Sequence, residues 1–341
     1  MQDQGCAPAG KLLILLDPEL GHATAQVRGL IHQPMFKKYG WTAEYFNVRK
    51  ASESELVSLA THFDFVYLLK VASLSLVQNL KAQTKAKIVF DLSDTLWKPV
   101  HRAVGWQDLE SILRTVDCIF SENEFIAEYG RQFNRTHLVP PMSNAEGFDD
   151  MRRYLPARSD GRVRLGWIGS TGTAAGLAGI APALRTLCQN HPEVDLRIVG
   201  CADPERLAPL AGLPVQVVPQ YDERAMLREI LQMDIGLYPP PIDLEDYMYR
   251  GPLKALLYMQ GEVPPVCLNY GDCAKLIQDG VNGMLVNQPE DWVTKTEALI
   301  NSPELRRSMG KRAAESVRPN HNHEVVFKQL AEGFRSLRQP A

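Results

Sequence analysis

The sequence predicts an α/β protein built from two doubly wound parallel sheets in tandem, and three observations predict it. Short apolar, β-branched runs alternate with helical patterns from one end of the chain to the other, which lays parallel strands side by side with helices on both faces. The alternation breaks once, at the polar stretch Tyr154–Arg162, and then restarts. The chain has 341 residues, more than a single core of ~250–300 residues usually supports.

In order, Lys11–Leu16 reads as a strand, followed by a helical stretch from Ala23 to Tyr39. Thr42–Val48, Phe65–Leu69, Lys87–Asp91, Cys118–Ser121 and His137–Val139 continue the first sheet, with helix-like segments between most of them. Right-handed crossovers between such strands give a doubly wound domain. Beyond the polar stretch the strands are Val163–Ile168, Leu196–Gly200, Val215–Val218, Ile235–Tyr238, Pro265–Leu268 and Met284–Val286. Helices are expected near 176–190, 222–232, 252–261 and 290–300. A last amphipathic segment, Glu324–Leu337, is set apart by Pro319–His323. The expected domains are therefore 1–155 and 160–319, two Rossmann-like halves facing a central cleft, with a C-terminal helix in 320–341 packing back on the first.

Composition narrows the function. Hydrophobic residues are 45% and charged residues 23%, ordinary for a globular chain, and 37 Lys and Arg against 40 Asp and Glu leave a net charge of −3. That balance, with no basic block, argues against a protein that coats nucleic acid or an anionic membrane. The six cysteines form no C-x-x-C pair, and Cys118 and Cys267 sit in apolar strand-like runs as small hydrophobes. The apolar run Leu12–Leu16 is shorter than the ~7–15 residues of a secretion signal, and no run approaches the ~18 of a membrane span. A reducing, cytoplasmic setting is the expectation.

Three stretches of the second half carry chemistry. Gly166–Thr173 joins a strand to a helix through Gly169, Ser170, Thr171, Gly172 and Thr173, where glycines admit a ligand to the backbone and free N–H groups suit a phosphate. It is neither a Walker A sequence nor a spaced G-x-G-x-x-G, and a tight strand-to-helix turn explains it equally well. Gly200 closes the next strand at its carboxyl end, the edge where open α/β sheets bind ligands. Met233–Asp243 runs a strand into a proline-stiffened loop with Asp243, Glu245 and Asp246, followed by Arg250 and Lys254. Acids before bases suit a sugar hydroxyl beside a diphosphate; a solvated charged loop is the plainer alternative. Arg250 and Lys254 stand four apart, so a helix would point both the same way.

The run Trp167–Thr173, Asp234–Pro239, Lys254–Met259, Asp279–Val286, Trp292 and Leu305–Gly310, in that order, resembles the C-terminal donor domain of the GT-B glycosyltransferases, family 4, in the branch whose first donor-domain loop reads G-S-P-G-T. Ile88–Asp94 with Leu96 and Trp97, Val116–Phe125, and Asp17–His22 with Arg28 resemble the same branch more loosely in the first half. The resemblance implies a GT-B fold and a retaining, metal-independent transfer of a sugar from a nucleotide diphosphate. The nucleotide-sugar is then a co-substrate, and neither cofactor nor metal is expected. It implies that Arg250 and Lys254, with the N–H groups of Ser170–Thr173, steady the departing diphosphate. Asp243, Glu245 and Asp246 would meet the donor sugar, with Gly200 and Tyr249 beside them. Gly21, His22, Arg28 and Asp94 would meet a glycan, lipid-linked or protein acceptor. Nucleic acid is not an expected partner, peripheral membrane association is left open, and no oligomeric state is assigned.

The family pattern is broken at four positions. Two glutamates with seven residues between them, one near the sugar and one on the ribose, read Tyr249 and Leu257 here; a usual glycine reads Glu262 and a usual glutamate Lys275. A degenerate, non-catalytic partner of an active enzyme is therefore the main alternative, with a nucleotide-sugar epimerase behind it. Val89–Leu96 also resembles the nucleophile motif of haloacid dehalogenase-type phosphatases, with Asp91 as nucleophile, but the general-acid position reads Ser93 and the motif follows three earlier strands.

Overall fold

The computed structural model describes residues 9–17, 25–99, 105–156, 158–239 and 244–338, with the side chains of 25, 26 and 244–246 left aside. The chain forms two compact units, Met1–Pro141 with His323–Ala341, and Met142–Asn322. Among the described residues no helix is long and apolar enough to cross a membrane.

The first unit is a six-stranded parallel sheet in the order β2-β1-β3-β4-β5-β6. Its strands are β1 Gly10–Leu16, β2 Trp41–Asn47, β3 Phe65–Leu69, β4 Lys87–Leu92, β5 Cys118–Ser121 and β6 Thr136–Leu138. β3 and β5 are buried along their whole length, as strands covered on both faces must be, whereas the edge strands β2 and β6 are half-buried. The chain leaves β1 to form β2 on one side and returns to form β3 on the other. The carboxyl ends of β1 and β3 are thus the switch point of this sheet.

Helical structure over 23–39 is less continuous than its periodicity predicts. Among the described residues a π turn, Ala25–Gly29, and a 3-10 turn, Leu30–His32, precede the helix Gln33–Lys38. Pro34 lacks the N–H that a continuous helix would bond back to residue 30, so it starts a new helix instead. The last helix, His323–Ser336, lies on the first unit's sheet. Phe334 meets Phe120 and Tyr67 with ring centroids 5.0 and 5.5 Å apart, and Phe327 meets Phe36 at 5.0 Å. At ~0.5–1.5 kcal/mol each beyond their buried area, these pairs tie the chain's end to the sheet. Pro319 does not separate this helix as its sequence position suggests. It falls in the last turn of the helix Pro303–His321, and the break comes at Asn322, whose side-chain amide donates to Arg318 O at 2.7 Å.

The second unit repeats the architecture in the order β12-β11-β10-β7-β8-β9. The strands are β7 Val163–Ile168, β8 Val194–Val199, β9 Val215–Val218, β10 Ile235–Tyr238, β11 Pro265–Leu268 and β12 Met284–Val286. β8 and β9 lie on one side of β7 and β10 on the other, so the switch point falls between β7 and β10.

The helix Ala145–Tyr154 belongs to this second unit, which sets the division before residue 142 and not at 155. Phe148 drives that placement: it is fully buried in one core cluster with Ile230, Leu257 and Val317. The polar stretch that follows is not slack either. Arg158 donates to Gln232 O at 2.5 Å and pairs with Asp234 at 2.9 Å. Glu262, where the resembled family has glycine, has φ 57°, the left-handed region that favours glycine. Its carboxylate pairs with Arg152 at 3.0 Å, a contact no glycine could make.

Candidate functional site

β7 and β10 pair only at Ile235–Leu165 and Gly236–Gly166, so the strands part toward their carboxyl ends. Tyr258 fills the gap from the helix Leu253–Gln260. Its hydroxyl accepts from Ile168 N and donates to Leu237 O, each at 3.1 Å. Burial pushes the phenol well above its ordinary pKa, so it stays a donor.

One turn earlier on that helix, Lys254 reaches into the same crevice. Its ammonium lies 5.3 Å from the ring centroid of Trp167 on β7 and 5.0 Å from that of Tyr238 on β10. Two ring faces attract a cation, but only weakly, and among the described residues no carboxylate pairs with this one. Burial first, and then the charge of Arg250, pull its pKa down to about 7. Arg250 does not share the helix, as the four-residue spacing suggested: Gly251 and Pro252 intervene, and the helix starts at Leu253. The two cations nevertheless repel each other, and an anion held against both would relieve that repulsion.

The strand-to-helix loop after β7 closes on the lysine. A Cβ on Gly169 would stand 2.8 Å from Lys254 Cε and 2.6 Å from Thr173 Oγ1, so only glycine lets the loop lie this close. Ser170, Thr171 and Gly172 are exposed and Thr173 half-buried. Thr171–Ala175 is a 3-10 turn leading into the helix Gly176–Asn190. Thr173 N–H already donates to Ser170 O at 2.9 Å, so it is not available to a phosphate. Thr171 and Gly172, first in the turn, keep the unsatisfied N–H groups of any helix start.

Gly200, at φ 91°, brings the end of β8 against this loop, and a Cβ there would fall 2.1 Å from Gly169 O. The same Cβ would meet Tyr221 Cε1 at 2.6 Å, placing this part-exposed ring beside the glycines. Sequence reasoning passed Tyr221 over; an aromatic just after a strand's carboxyl end was the available signal.

Of the other predicted donor residues, Asp243 lies outside the described residues. Glu245 and Asp246 are on the helix Leu244–Tyr249, and only their backbone is described. Tyr249 is half-buried at that helix's end. Leu257, in the place of the family's ribose glutamate, is buried in the core. Lys275 stands 3.9 Å from Asp272.

In the first unit, Gly21 and His22 lie outside the described residues. Arg28 is a correction: it is 3% exposed and fully engaged within the fold. Its guanidinium grips Asp91 at 2.8 and 3.1 Å and donates to Val139 O at 2.5 Å, while Tyr67 donates to the same carboxylate. It closes a buried network and presents nothing to an acceptor. The same network answers the phosphatase reading, since Asp91 is wholly buried as the counter-ion of Arg28. Asp94 is half-exposed past the end of β4, where it accepts from Thr95 N at 2.9 Å and stands 3.5 Å from the Lys70 ammonium. Lys70 went unnoticed in the sequence, although a charge directly after the apolar run Phe65–Leu69 marks a strand's carboxyl end. Among the described residues no group of three metal-ligating side chains stands together.

The family described as Glycosyl transferases group 1 matches residues 162–302. The D-inositol 3-phosphate glycosyltransferase of Pseudarthrobacter chlorophenolicus is 24% identical over 262 residues, which are 70% of this chain and 60% of the relative. The chain thus spans about 60% of the length of that curated relative. Among solved structures, Anabaena Alr3699/HepE in complex with UDP and glucose superposes with a TM-score of 0.68 at 14% identity, over 96% of this chain and 100% of that one. Sucrose-phosphate synthase (tll1590) from Thermosynechococcus elongatus gives 0.72 at 15% identity, over 96% and 99%. At such identities the likeness speaks for the fold, and the matched family speaks for the second unit. The chain has the GT-B fold, and residues 162–302 of its second unit match the family described as Glycosyl transferases group 1.

Proposed function

We propose that this protein is a glycosyltransferase that moves a hexosyl group from a nucleotide-diphosphate donor to a hydroxyl of a glycan, lipid-linked or protein acceptor, with retention and without a bound metal. The observation that carries the reading is Lys254, a lysine at the β7/β10 switch point with aromatic faces and a second cation beside it but, among the described residues, no carboxylate paired with it. A half-buried lysine with no described counter-ion in a fold's ligand crevice suits an anionic ligand. A departing diphosphate gains negative charge as the glycosidic bond breaks. Donors already aimed at that charge lower the barrier without reorganising. Lys254 and Arg250 supply the cations, and Thr171 and Gly172 the backbone N–H groups.

The solved relative holding UDP and glucose supports a UDP-sugar as donor. With Leu257 withdrawn into the core, ribose recognition falls to other groups, and the part-exposed Tyr221 ring beside Gly200 offers the nucleoside a face. The same burial of Leu257 favours the one competing reading, a domain that binds a nucleotide without turning it over.

A thermal-shift screen against UDP, GDP, ADP and their sugars tests both. UDP and UDP-glucose are expected to raise the unfolding temperature, with a stabilisation of about 2.7 kcal/mol at ~100-fold excess over Kd. No shift with any nucleotide rejects the donor site. A shift without release of UDP from UDP-glucose, across acceptors, rejects catalysis and leaves the binding role.

A further inference from the structure

β7 pairs with β8 as far as Ile168–Val199, and β10 with β11 as far as Tyr238–Cys267, but β7 and β10 part after Gly236–Gly166. Extending their register sets Ile168 opposite Tyr238, so that in a parallel ladder Ile168 N would donate to Leu237 O. Ile168 N does face β10, because the next N–H, on Gly169, points the other way and donates to Val199 O on β8. The Tyr258 hydroxyl stands inside that one missing bond. It accepts from Ile168 N and donates to Leu237 O, each at 3.1 Å, and two bonds in series hold the strands wider than a single ladder bond of ~2.9 Å. The fully buried ring lies over Gly236, where a Cβ would fall 2.4 Å from Tyr258 Cγ. Core packing does not ask for the hydroxyl: a phenylalanine would fill the same space, and the two backbone groups could satisfy each other.

We propose that Tyr258 is a positioning residue for Lys254: its hydroxyl, inserted into the β7–β10 ladder, keeps the strand ends apart so that the ammonium reaches between them to an anionic ligand. That the ligand is a nucleotide diphosphate rests on the donor reading above; the hold of the wedge on the lysine does not. The two residues stand four apart on the helix Leu253–Gln260, so the anchored phenol fixes the height and rotation at which the lysine leaves it. The ammonium lies between one ring from each strand, 5.3 Å from Trp167 and 5.0 Å from Tyr238. Trp167 belongs to the core on one face of the sheet and Tyr238 to the core on the other, so the space between the rings follows the space between the strands. Without the hydroxyl, Ile168 N is free to donate straight to Leu237 O. The strand ends then zip by one rung, the two rings approach, and the ammonium is displaced toward water, where its charged form is better solvated.

NMR of the full chain labelled with 13C-lysine follows the titration of Lys254 with no ligand present, its signal assigned by its loss in Lys254→Met. The wild type is expected to titrate near pH 7, and Tyr258→Phe at least ~1 pH unit higher. Calorimetry with UDP at pH 6, where the lysine is charged in both proteins, should show at least ~10-fold weaker binding by Tyr258→Phe, the scale of a lost charged hydrogen bond. A hydroxyl with only a structural role would lower the unfolding temperature and move neither readout. An unmoved Lys254 midpoint, or UDP affinity equal to that of the wild type, would overturn the proposal. So would a Tyr258→Phe chain that does not fold, because the ladder bond is expected to close in the hydroxyl's place. Absence of UDP binding by the wild type would sink the donor reading instead, and the Lys254 titration in the two proteins would still decide whether the wedge places the lysine.

Discussion

Lys254→Ala is expected to cut sugar transfer by at least ~10-fold while the fold stays intact, the scale of removing one preorganised donor from a reacting group. The loss should fall on donor binding and on kcat together, because the diphosphate carries charge before the bond breaks and more afterwards. The fold is expected to survive because the ammonium forms no ion pair with any described residue, and its removal relieves the repulsion from Arg250. Linkage sharpens this. Lys254 has a folded pKa near 7, below the unfolded value near 10.5, so the unfolded chain binds more protons between those limits. The unliganded wild type should therefore gain stability as pH rises from about 7 to about 10.5, and Lys254→Ala should lose that slope. Donor affinity should run the opposite way and weaken above pH 7, because the diphosphate needs the charged form. Steady-state kinetics with UDP-glucose across pH, beside urea unfolding of the same proteins, reads both signs. Unchanged turnover in the purified variant rejects the assignment.

Arg28→Ala is expected to destabilise the first unit by about 3–5 kcal/mol, the range for breaking a buried ion pair and stranding one charge. Asp91 would keep the Tyr67 hydroxyl but lose three close guanidinium contacts, and Val139 O would lose its donor at the far side of the sheet. Arg28→Lys should recover only part of the loss, since one ammonium cannot reach both the carboxylate and the carbonyl in the guanidinium's planar geometry. Urea unfolding checks both variants. A loss under about 1 kcal/mol for Arg28→Ala, the scale of an exposed pair, would contradict the network's role. UDP binding should be unaffected, because the network lies wholly within the first unit.

These two residues show where the sequence is readable and where it is not. The strands were legible because parallel sheets covered on both faces need unbroken apolar runs, and Phe65–Leu69 and Val163–Ile168 are buried throughout. The glycine loop and Lys254 were legible too, since a strand end, glycines and a basic residue near a helix start leave a local pattern. Arg28 was not. Its partner is 63 residues away, and nothing near it distinguishes an arginine that faces inward from one that faces a ligand. Lys70 hid for a related reason: its left-handed backbone is a property of the turn, and the residue type argues against that conformation. The polar stretch Tyr154–Arg162 reads as a linker by composition, yet the helix before it is claimed by the second unit through the single buried ring of Phe148. Composition reports where chain is polar; which core a neighbouring helix joins depends on contacts far along the sequence.

The most direct test of the central claim is calorimetry of UDP binding at pH 8 in two buffers of different ionisation enthalpy. At that pH most unliganded molecules carry a neutral Lys254, so a diphosphate seated against it must draw a proton from the buffer. The account predicts uptake approaching one proton by the wild type and none by Lys254→Met. Tight binding with no proton uptake, or the same uptake in the variant, would show that the diphosphate is neutralised elsewhere and contradict the site described.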